Sequence, residues 1–436
     1  MKNKSIKEDS RELHKKTRDY LTNILLPFWM ERSPDLEYGG FLSYFDRNGH
    51  PTGETTKTLL MQIRFLYTFS AVHRAGYGNG RCAEFACKAA KFIAKHYWDE
   101  RNGGWFWIAD RSGKPTCKAK IGYGQCFSMY AFSEYCLATG DLFGRKMAEK
   151  TYEAICANMA DTQHGGYYEM MNEDWRPEKP GRFGGDRKSL DVHMHMMEAL
   201  TTFHEMTGNP SHRRRLEEVI GILTEKMMHP VNGLGYMQFS LDFQPLAPIL
   251  FATDWGRDAG TGDGSRGPVT LTSPGHNIEL VWLLLHAADT LGVVRETYAE
   301  VVRRNCDHCI QFGIDQEYGG VYADVPMEEP TRQKEKQFWQ QAESMIGLLD
   351  AYSMFKDEKY WLAFRNIYDF VFSKFVNYPG GGEWFERLDR EGNPLDDALG
   401  HSWKICYHTV RSMIQVVKRL EKIAEKSKTG TAKVRT

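Results

Sequence analysis

One feature constrains this chain more than any other: a short glycine-rich turn with an aromatic residue close behind it returns six times. It reads YGGF at Gly39, NGGW at Gly103, HGGYY at Gly165, NGLGY at Gly233, YGGVY at Gly319 and PGGGEW at Gly381. The first glycines are 64, 62, 68, 86 and 62 residues apart. A near-constant period of this length marks one supersecondary unit repeated, each copy burying its apolar face against its neighbours. Between the glycine turns lie stretches such as TKTLLMQIRFLYTFSAVHRAG, GQCFSMYAFSEYCLATGD, SLDVHMHMMEALTTFHEMTG and NIELVWLLLHAADTLG, with apolar residues at three- and four-residue intervals. That spacing is helical. Two helices per unit, joined by glycine-rich loops with short aromatic strands, predict an all-α fold. Six such hairpins closing on themselves give an (α/α)6 barrel of about twelve helices with short β-hairpins in the connecting loops and a funnel at one end. An open solenoid is the alternative, and it needs polar capping repeats. The barrel is expected to be a single domain over residues 1–424, followed by a flexible tail, 425–436, rich in Lys, Thr and Ser and without apolar periodicity.

The interval from Gly233 to Gly319 is longer than the others, and the surplus falls in QPLAPILFATDWGRDAGTGDGSRGPVTLTSPGHN. A polar, glycine-rich insertion in a compact repeat reads as a loop with a task, a lid over the funnel, with a merely disordered loop as the bland alternative.

Composition narrows the partners. Hydrophobic residues make up 42% and charged residues 26%, as in ordinary soluble proteins. With 56 basic against 57 acidic residues, nucleic acid is not expected as the main partner. The start MKNKSIKEDSRELHKK lacks an apolar signal core, and VWLLLHAA is too short for a membrane span. The nine cysteines are scattered, and the one C-x-x-C, at Cys306 and Cys309, lies inside an ordinary helical pattern. Reduced thiols and a cytoplasmic location, with no membrane partner, are the expectation.

Four clusters carry chemistry-bearing side chains at helical spacing. In KSLDVHMHMMEAL, Asp191, His195 and Glu198 share one helix face and His193 points elsewhere. In SPGHNIELVWLL, His276 and Glu279 stand at a helix start; in KQFWQQAESMIGLL, Trp339 and Glu343 are four apart; HSWKICYHTVRSM holds Trp403, His408 and Arg411. Arg64 interrupts the otherwise apolar MQIRFLYTFS. Any one of these histidines alone is more readily a satisfied core or surface residue than a catalyst. Together, His, Glu, Arg and Trp directed into one funnel make a wet cavity, and rings beside charged groups suit a sugar, whose C–H faces stack while its hydroxyls hydrogen-bond. The H-M-H spacing splays two imidazoles across a helix, no H-E-x-x-H occurs, and no glycine-rich phosphate loop joins a strand to a helix. Neither a metal nor a cofactor is expected.

MQIRFLYTFS, KSLDVHMHMMEA, SPGHNIELVWLL, FWQQAES and WKICYHTVR, in this order and spacing from about Tyr20 to Leu420, resemble the N-acylglucosamine 2-epimerase superfamily and its cellobiose 2-epimerase-like and mannose 2-epimerase-like members. The resemblance implies the same (α/α)6 barrel. It further implies that His276 and His408 form an acid/base pair on opposite faces of the substrate's C2, that His195 assists ring opening, and that Arg64 holds the enediolate oxygen. Glu279 and Glu343 would orient the histidines; Asp191, Tyr123, Trp339, Trp403 and Asp254 would bind the sugar. The cellobiose-type pattern has Asn where this chain has Asp191 and commonly a second Trp where it has Phe338. Asp191 together with the insertion around residues 254–266, which could close over a small sugar, puts a free monosaccharide, D-mannose with D-glucose as its epimer, ahead of a β-1,4 disaccharide.

This chemistry suits the residue types. The C2 proton of an aldose is acidic only when C1 is a carbonyl, so the ring opens first; a neutral imidazole then takes the proton and a second returns one. A guanidinium steadies the enediolate without a metal. Return of the proton at C1 gives the 2-ketose, so aldose–ketose isomerisation is a natural side reaction. Glycoside hydrolysis by a carboxylate pair such as Asp191 with Glu343 or Glu279, and a non-catalytic sugar-binding toroid, are the rival classes. A closed toroid buries its own core, so a monomer or homodimer is expected.

Overall fold

The computed structural model describes residues 4–252 and 264–425. Twelve helical rods are present among them. The first, α1, is Ile6–Tyr20 continued without a break through Leu21–Leu25 and Leu26–Arg32. The others are α2 (Leu59–Arg74), α3 (Arg81–Tyr97), α4 (Gly122–Thr139), α5 (Leu142–Asn158), α6 (Leu190–Thr207), α7 (Pro210–Gly221), α8 (Pro274–Leu291), α9 (Ala299–His308), α10 (Phe338–Phe355), α11 (Glu358–Phe370) and α12 (Cys406–Glu425). Helices α2, α4, α6, α8, α10 and α12 form an inner ring in which each packs on the next, and α12 returns to α2. Each inner helix is backed by an outer one: α3 on α2, α5 on α4, α7 on α6, α9 on α8, α11 on α10 and α1 on α12. The fold is the (α/α)6 barrel that the period predicts. Its sixth pair joins the two ends of the chain, with the Ser10 hydroxyl on α1 donating to the Leu420 carbonyl of α12 at 2.7 Å.

The inner helices are apolar nearly all round because both faces are covered; every residue of α2 from Leu59 to Ser70 is buried. Short antiparallel strands circle the mouth. Lys57–Thr58 pairs with Ile108–Ala109, Lys120–Ile121 with Met170–Met171, Arg187–Ser189 with Gln238–Ser240, Leu271–Thr272 with Val325–Pro326, and Lys336–Gln337 with Arg387–Leu388. A single bridge between Phe45 and Gly400 completes the circle.

The glycine motif has a physical cause. Both members of the pairs at Gly39, Gly103, Gly165, Gly319 and Gly381 have positive φ, which side chains with a Cβ resist. A Cβ on Gly104 would also come within 2.3 Å of the Trp175 ring. The turn delivers the following residue, Phe41, Trp105, Tyr167 or Val321, into the layer between inner and outer helices, where all four are buried.

A second periodic device accompanies it. A buried lysine precedes the inner helix and reaches the aspartate of the turn: Lys57 to Asp35 at 2.8 Å, Lys120 to Asp99 at 2.9 Å, Lys188 to Asp161 at 2.7 Å and Lys336 to Asp315 at 3.2 Å. Burial favours the neutral acid, yet Arg111 and Lys57 hold Asp35 down at about 2. Five residues after each lysine a polar side chain ties the turn's backbone. Gln62 accepts from Phe41 N at 2.9 Å, Gln125 from Trp105 N at 2.9 Å, His193 from Tyr167 N at 3.1 Å and Gln341 from Val321 N at 2.7 Å. The sixth repeat departs, with Asn377 in the aspartate's place and Lys404 3.5 Å from Glu383, to which Thr409 donates at 3.1 Å. So does the fourth, where His229 replaces the aspartate and Thr272 the lysine, its hydroxyl donating to the Gly235 carbonyl at 2.8 Å. This is the repeat that carries the insertion. The insertion's described part is built in, with Pro245–Leu246 paired to Gln238–Ser240 and Ile249 bridged to Ser265.

Replacing Lys188 by Met leaves Asp161 buried without its cation. A loss of about 3–5 kcal/mol is expected, read as a lower melting temperature and denaturation midpoint; an unchanged midpoint would mean the pair contributes no net stability.

Candidate active site

All six inner helices begin at the mouth, and the site is built from their first two turns. Counted from the mouth lysine, or from Thr272 in its place, the same offsets recur. The third position is Tyr123, Asp191, Trp339 and Tyr407 on α4, α6, α10 and α12. The fourth is His276 on α8 and His408 on α12. The seventh is Arg64, His195, Glu279, Glu343 and Arg411. Offsets of three, four and seven lie on one helix face, so the ring turns that face inward six times. Ser189 and Ser273 cap α6 and α8, the Ser273 hydroxyl accepting from the His276 N–H, which fixes the start of each helix. Six helix N-termini pointing at one hollow bias it toward negative charge.

The three histidines have different surroundings. His195 is buried with both ring nitrogens against carboxylates, Nδ1 at 2.9 Å from Glu198 and Nε2 at 3.2 Å from Asp191. Carboxylates only accept, so both nitrogens carry protons and the ring is an imidazolium. Burial opposes that charge, but Asp191 and Glu198 outweigh it and push its pKa up to about 10. His408 has Nδ1 at 2.7 Å from Glu343 Oε1, which leaves Nε2 as a free base. Burial drives its pKa down to about 3 against the pull of Glu343. His276 faces the hollow, with Nε2 at 3.5 Å from the same Asp191 oxygen, and burial lowers it too.

Arg64 is 3% exposed and, among the described residues, has no carboxylate within ion-pair distance. Its guanidinium donates to the Trp403 carbonyl at 2.8 Å and to the Tyr123 hydroxyl at 3.1 Å, and it lies over the rings of Phe127 and Tyr407. The Trp339 ring lies 4.5 Å from that of His276 and 5.9 Å from that of His408. Arg64, Tyr123, Asp191, His195, His276, Glu279, Trp339, Trp403 and His408 line one hollow. It opens into an apolar annex bounded by Met170, Met237, Leu250 and Phe251.

Glu198, Glu343 and Arg411 do not line this hollow but bond to one another and to its histidines, and His193 turns away to the Tyr167 N–H. Asp254 lies outside the described residues. Glu279 makes no hydrogen bond to a described histidine, though its charge helps to raise His195. Its carboxylate turns inward to Arg411 at 2.6 Å, and the residue that holds His195 is Glu198, three positions on along the same helix. Tyr407 and Arg266 join the site without having been picked out. Arg266 lines both hollows and pairs with Asp324 of the next repeat at 2.6 Å. Alignment of the repeats would have found Tyr407, which shares its offset with Tyr123. Arg266 stands in the insertion that the sequence marks as a lid over the funnel, but no repeat offset singles it out. As for a cation, Glu279, Glu343 and His408 bring ligand atoms within 4.8 Å of one another. Arg411 already bonds both carboxylates, so the positive charge there is supplied by the chain itself.

Comparison with known proteins agrees with the geometry. Residues 39–412 match the family model for N-acylglucosamine 2-epimerase (GlcNAc 2-epimerase). The chain is 26% identical over 427 residues to a cellobiose 2-epimerase of Dictyoglomus turgidum, covering 94% of this chain and 100% of that one. It is 23% identical over 392 residues to a D-mannose isomerase of Marinomonas mediterranea, covering 88% and 92%. The solved cellobiose 2-epimerase of Spirochaeta thermophila superposes with a TM-score of 0.82 at 26% identity, covering 96% of this chain and 99% of that one.

His193 and His195 are two residues apart and should separate cleanly. Glutamine replaces His193 at the equivalent place in other repeats, so His193→Gln is expected to keep activity within about threefold, whereas His195→Gln should lose at least about 100-fold. Steady-state rates on the responsive sugar check this, and equal losses would reverse the assignment of the two faces.

Proposed function

This chain belongs to the N-acylglucosamine 2-epimerase family, and from that premise we propose that it inverts C2 of a free aldose, D-mannose and D-glucose being the favoured pair. The observation that carries the reading is Arg64: a buried guanidinium with no carboxylate of its own among the described residues, facing a hollow between two neutral histidines. Burying a cation without a partner is costly, and the cost is recovered when the substrate develops negative charge beside it. His195, an imidazolium, protonates the ring oxygen as the sugar opens, with Asp191 beside it to receive the O1 proton. With C1 a carbonyl, one of His276 and His408 removes the C2 proton. Arg64 and the converging helix N-termini hold the cis-enediolate. The second histidine needs a proton for the next step, and for His276 the source is the O1 proton held by Asp191, 3.5 Å from its Nε2. Delivery to the other face of C2 gives the epimer, and delivery at C1 gives the 2-ketose.

Hydrolysis fits the arrangement less well, because Glu198, Glu279 and Glu343 are all bonded to Arg411 and Asp191 lies between two histidines. Cellobiose is the second reading. The annex beside Asp191 and His276 offers room and apolar wall for a second ring. The Arg266–Asp324 pair, which ties the end of the insertion to the neighbouring repeat above His276, favours the smaller sugar.

Proton NMR in deuterated water, with D-mannose and cellobiose in separate tubes, tests the reading. Deuterium is expected at C2 together with the C2 epimer, faster with mannose. His276→Ala and His408→Ala should each reduce that exchange at least about 100-fold, and turnover surviving in either variant removes that histidine from proton transfer.

The pH profile follows from the same charges. A base is lost as pH falls through its folded pKa. Both candidate bases lie below the usual imidazole value of about 6.5, His408 at about 3. An acid is lost as pH rises through its pKa, which for His195 is about 10. The kcat/KM profile should therefore stay flat across neutrality and fall near pH 10. A profile falling on the acid side at an ordinary histidine pKa would contradict the assignment.

A further inference from the structure

Arg411 occupies the centre of the barrel floor. It is 2% exposed, and its fork reaches glutamates on three other inner helices. Nη1 donates to Glu198 Oε1 on α6 and to the Tyr407 hydroxyl oxygen. Nη2 donates to Glu279 Oε1 on α8 at 2.6 Å and lies 2.8 Å from Glu343 Oε1 on α10. Two of these carboxylates are the ones that hold a histidine, Glu198 at His195 Nδ1 and Glu343 at His408 Nδ1. The Glu343 oxygen that receives His408 is the same one that faces Arg411.

We propose that Arg411 is a positioning residue of the reaction: its planar fork fixes Glu198 and Glu343 in one frame and through them couples the orientation of His195 to that of His408. The proposal rests on the epimerase reading for its kinetic consequences but not for its geometry. Three carboxylates brought this close repel one another, and a flat cation with donors on two nitrogens is what lets them converge. Lysine supplies the charge as a point and cannot span them. The charge pattern agrees. Burial raises each acid, yet Arg411 holds Glu198 low and Glu343 at about 2, while burial and repulsion by Glu343 raise Glu279.

A separate observation supplies an unusual test. Arg411 and Trp282 also line a second cavity, at the opposite end of the barrel, walled by Tyr67, Glu134, His286 and Gln415. Arg411 faces this rear cavity, and Glu279, which it bonds, lines the sugar-side hollow beyond it. Truncating Arg411 should open a slot that a free guanidinium ion fills from the rear, without competing with sugar at the mouth.

The experiment uses the full chain with Arg411→Lys and Arg411→Ala. Both variants are expected to lose at least about 100-fold in kcat with KM within about threefold, since a small displacement of catalytic groups costs that much. The acid limb of kcat/KM in Arg411→Ala should move to higher pH, because burial chiefly depresses His408 and the added push of the Arg411 charge is gone. Millimolar guanidinium chloride, against sodium chloride as control, should restore activity to Arg411→Ala at least about tenfold, with no effect on KM. In sugar-free wild-type protein, the Nδ1 protons of His195 and His408 should appear as slowly exchanging downfield NMR resonances and broaden in both variants. Retained kcat and intact resonances in Arg411→Lys would overturn the proposal. So would absence of those resonances in the wild type at pH 7, which is decisive even if neither variant folds. A wild type inert to sugars whose ring resonances still depend on Arg411 would instead remove the epimerase reading and leave the positioning role standing.

Discussion

The structure depends on closure of the inner ring, the packing of α12 against α2 with α1 behind it. Five hairpins contiguous in sequence would leave an apolar helix face at each end of a curved stack. The sixth pair, assembled from the two ends of the chain, covers both faces. Closure also makes the six inner helices parallel, because every connection returns through an outer helix. Six N-termini therefore gather at one mouth, and six C-termini at the other. The mouth becomes the end where an anion is stabilised, and it is the end where the sugar-type pocket is built.

The pocket then solves a charge problem set by its depth. Three histidines of the same intrinsic basicity are given different states by their neighbours. His195 between two carboxylates is charged, while His408 and His276 are held neutral by burial, although each lies near one carboxylate. Below them, the acids are gathered on Arg411, leaving Arg64 as the buried cation that no described carboxylate neutralises. The proposed acid, bases and electrophile are thus distinguished by environment rather than by residue type.

Repetition explains why the site is where it is, and its breaking explains what the site is. The lysine–aspartate pair and the glutamine five residues later recur because every turn must be fastened to its helix in the same way. The sixth repeat uses Lys404 and Thr409 on Glu383. In the fourth, Thr272 and Asn277 do the work with neutral groups, and the chain extends into the insertion whose Arg266 shares the hollow with His276. His193 belongs to the fastening and not to the chemistry. Its neighbour two positions along faces the pocket because a helix rotates about 100° per residue.

Much of this was legible in the amino-acid sequence. The glycine period determined the number of repeats, because a left-handed turn tolerates little else, and apolar spacing determined that the units are helical. Helix geometry placed Asp191, His195 and Glu198 on one face. What only the tertiary structure decided is which side chains of different repeats meet. That Glu279 turns to Arg411 and leaves His195 to Glu198, that Arg411 gathers acids from three helices, and that Arg266 reaches the pocket from a loop all depend on how far apart the inner helices stand. That distance is set by the bulk packed between inner and outer rings and by closure itself, which are properties of the whole chain and of no local stretch within it.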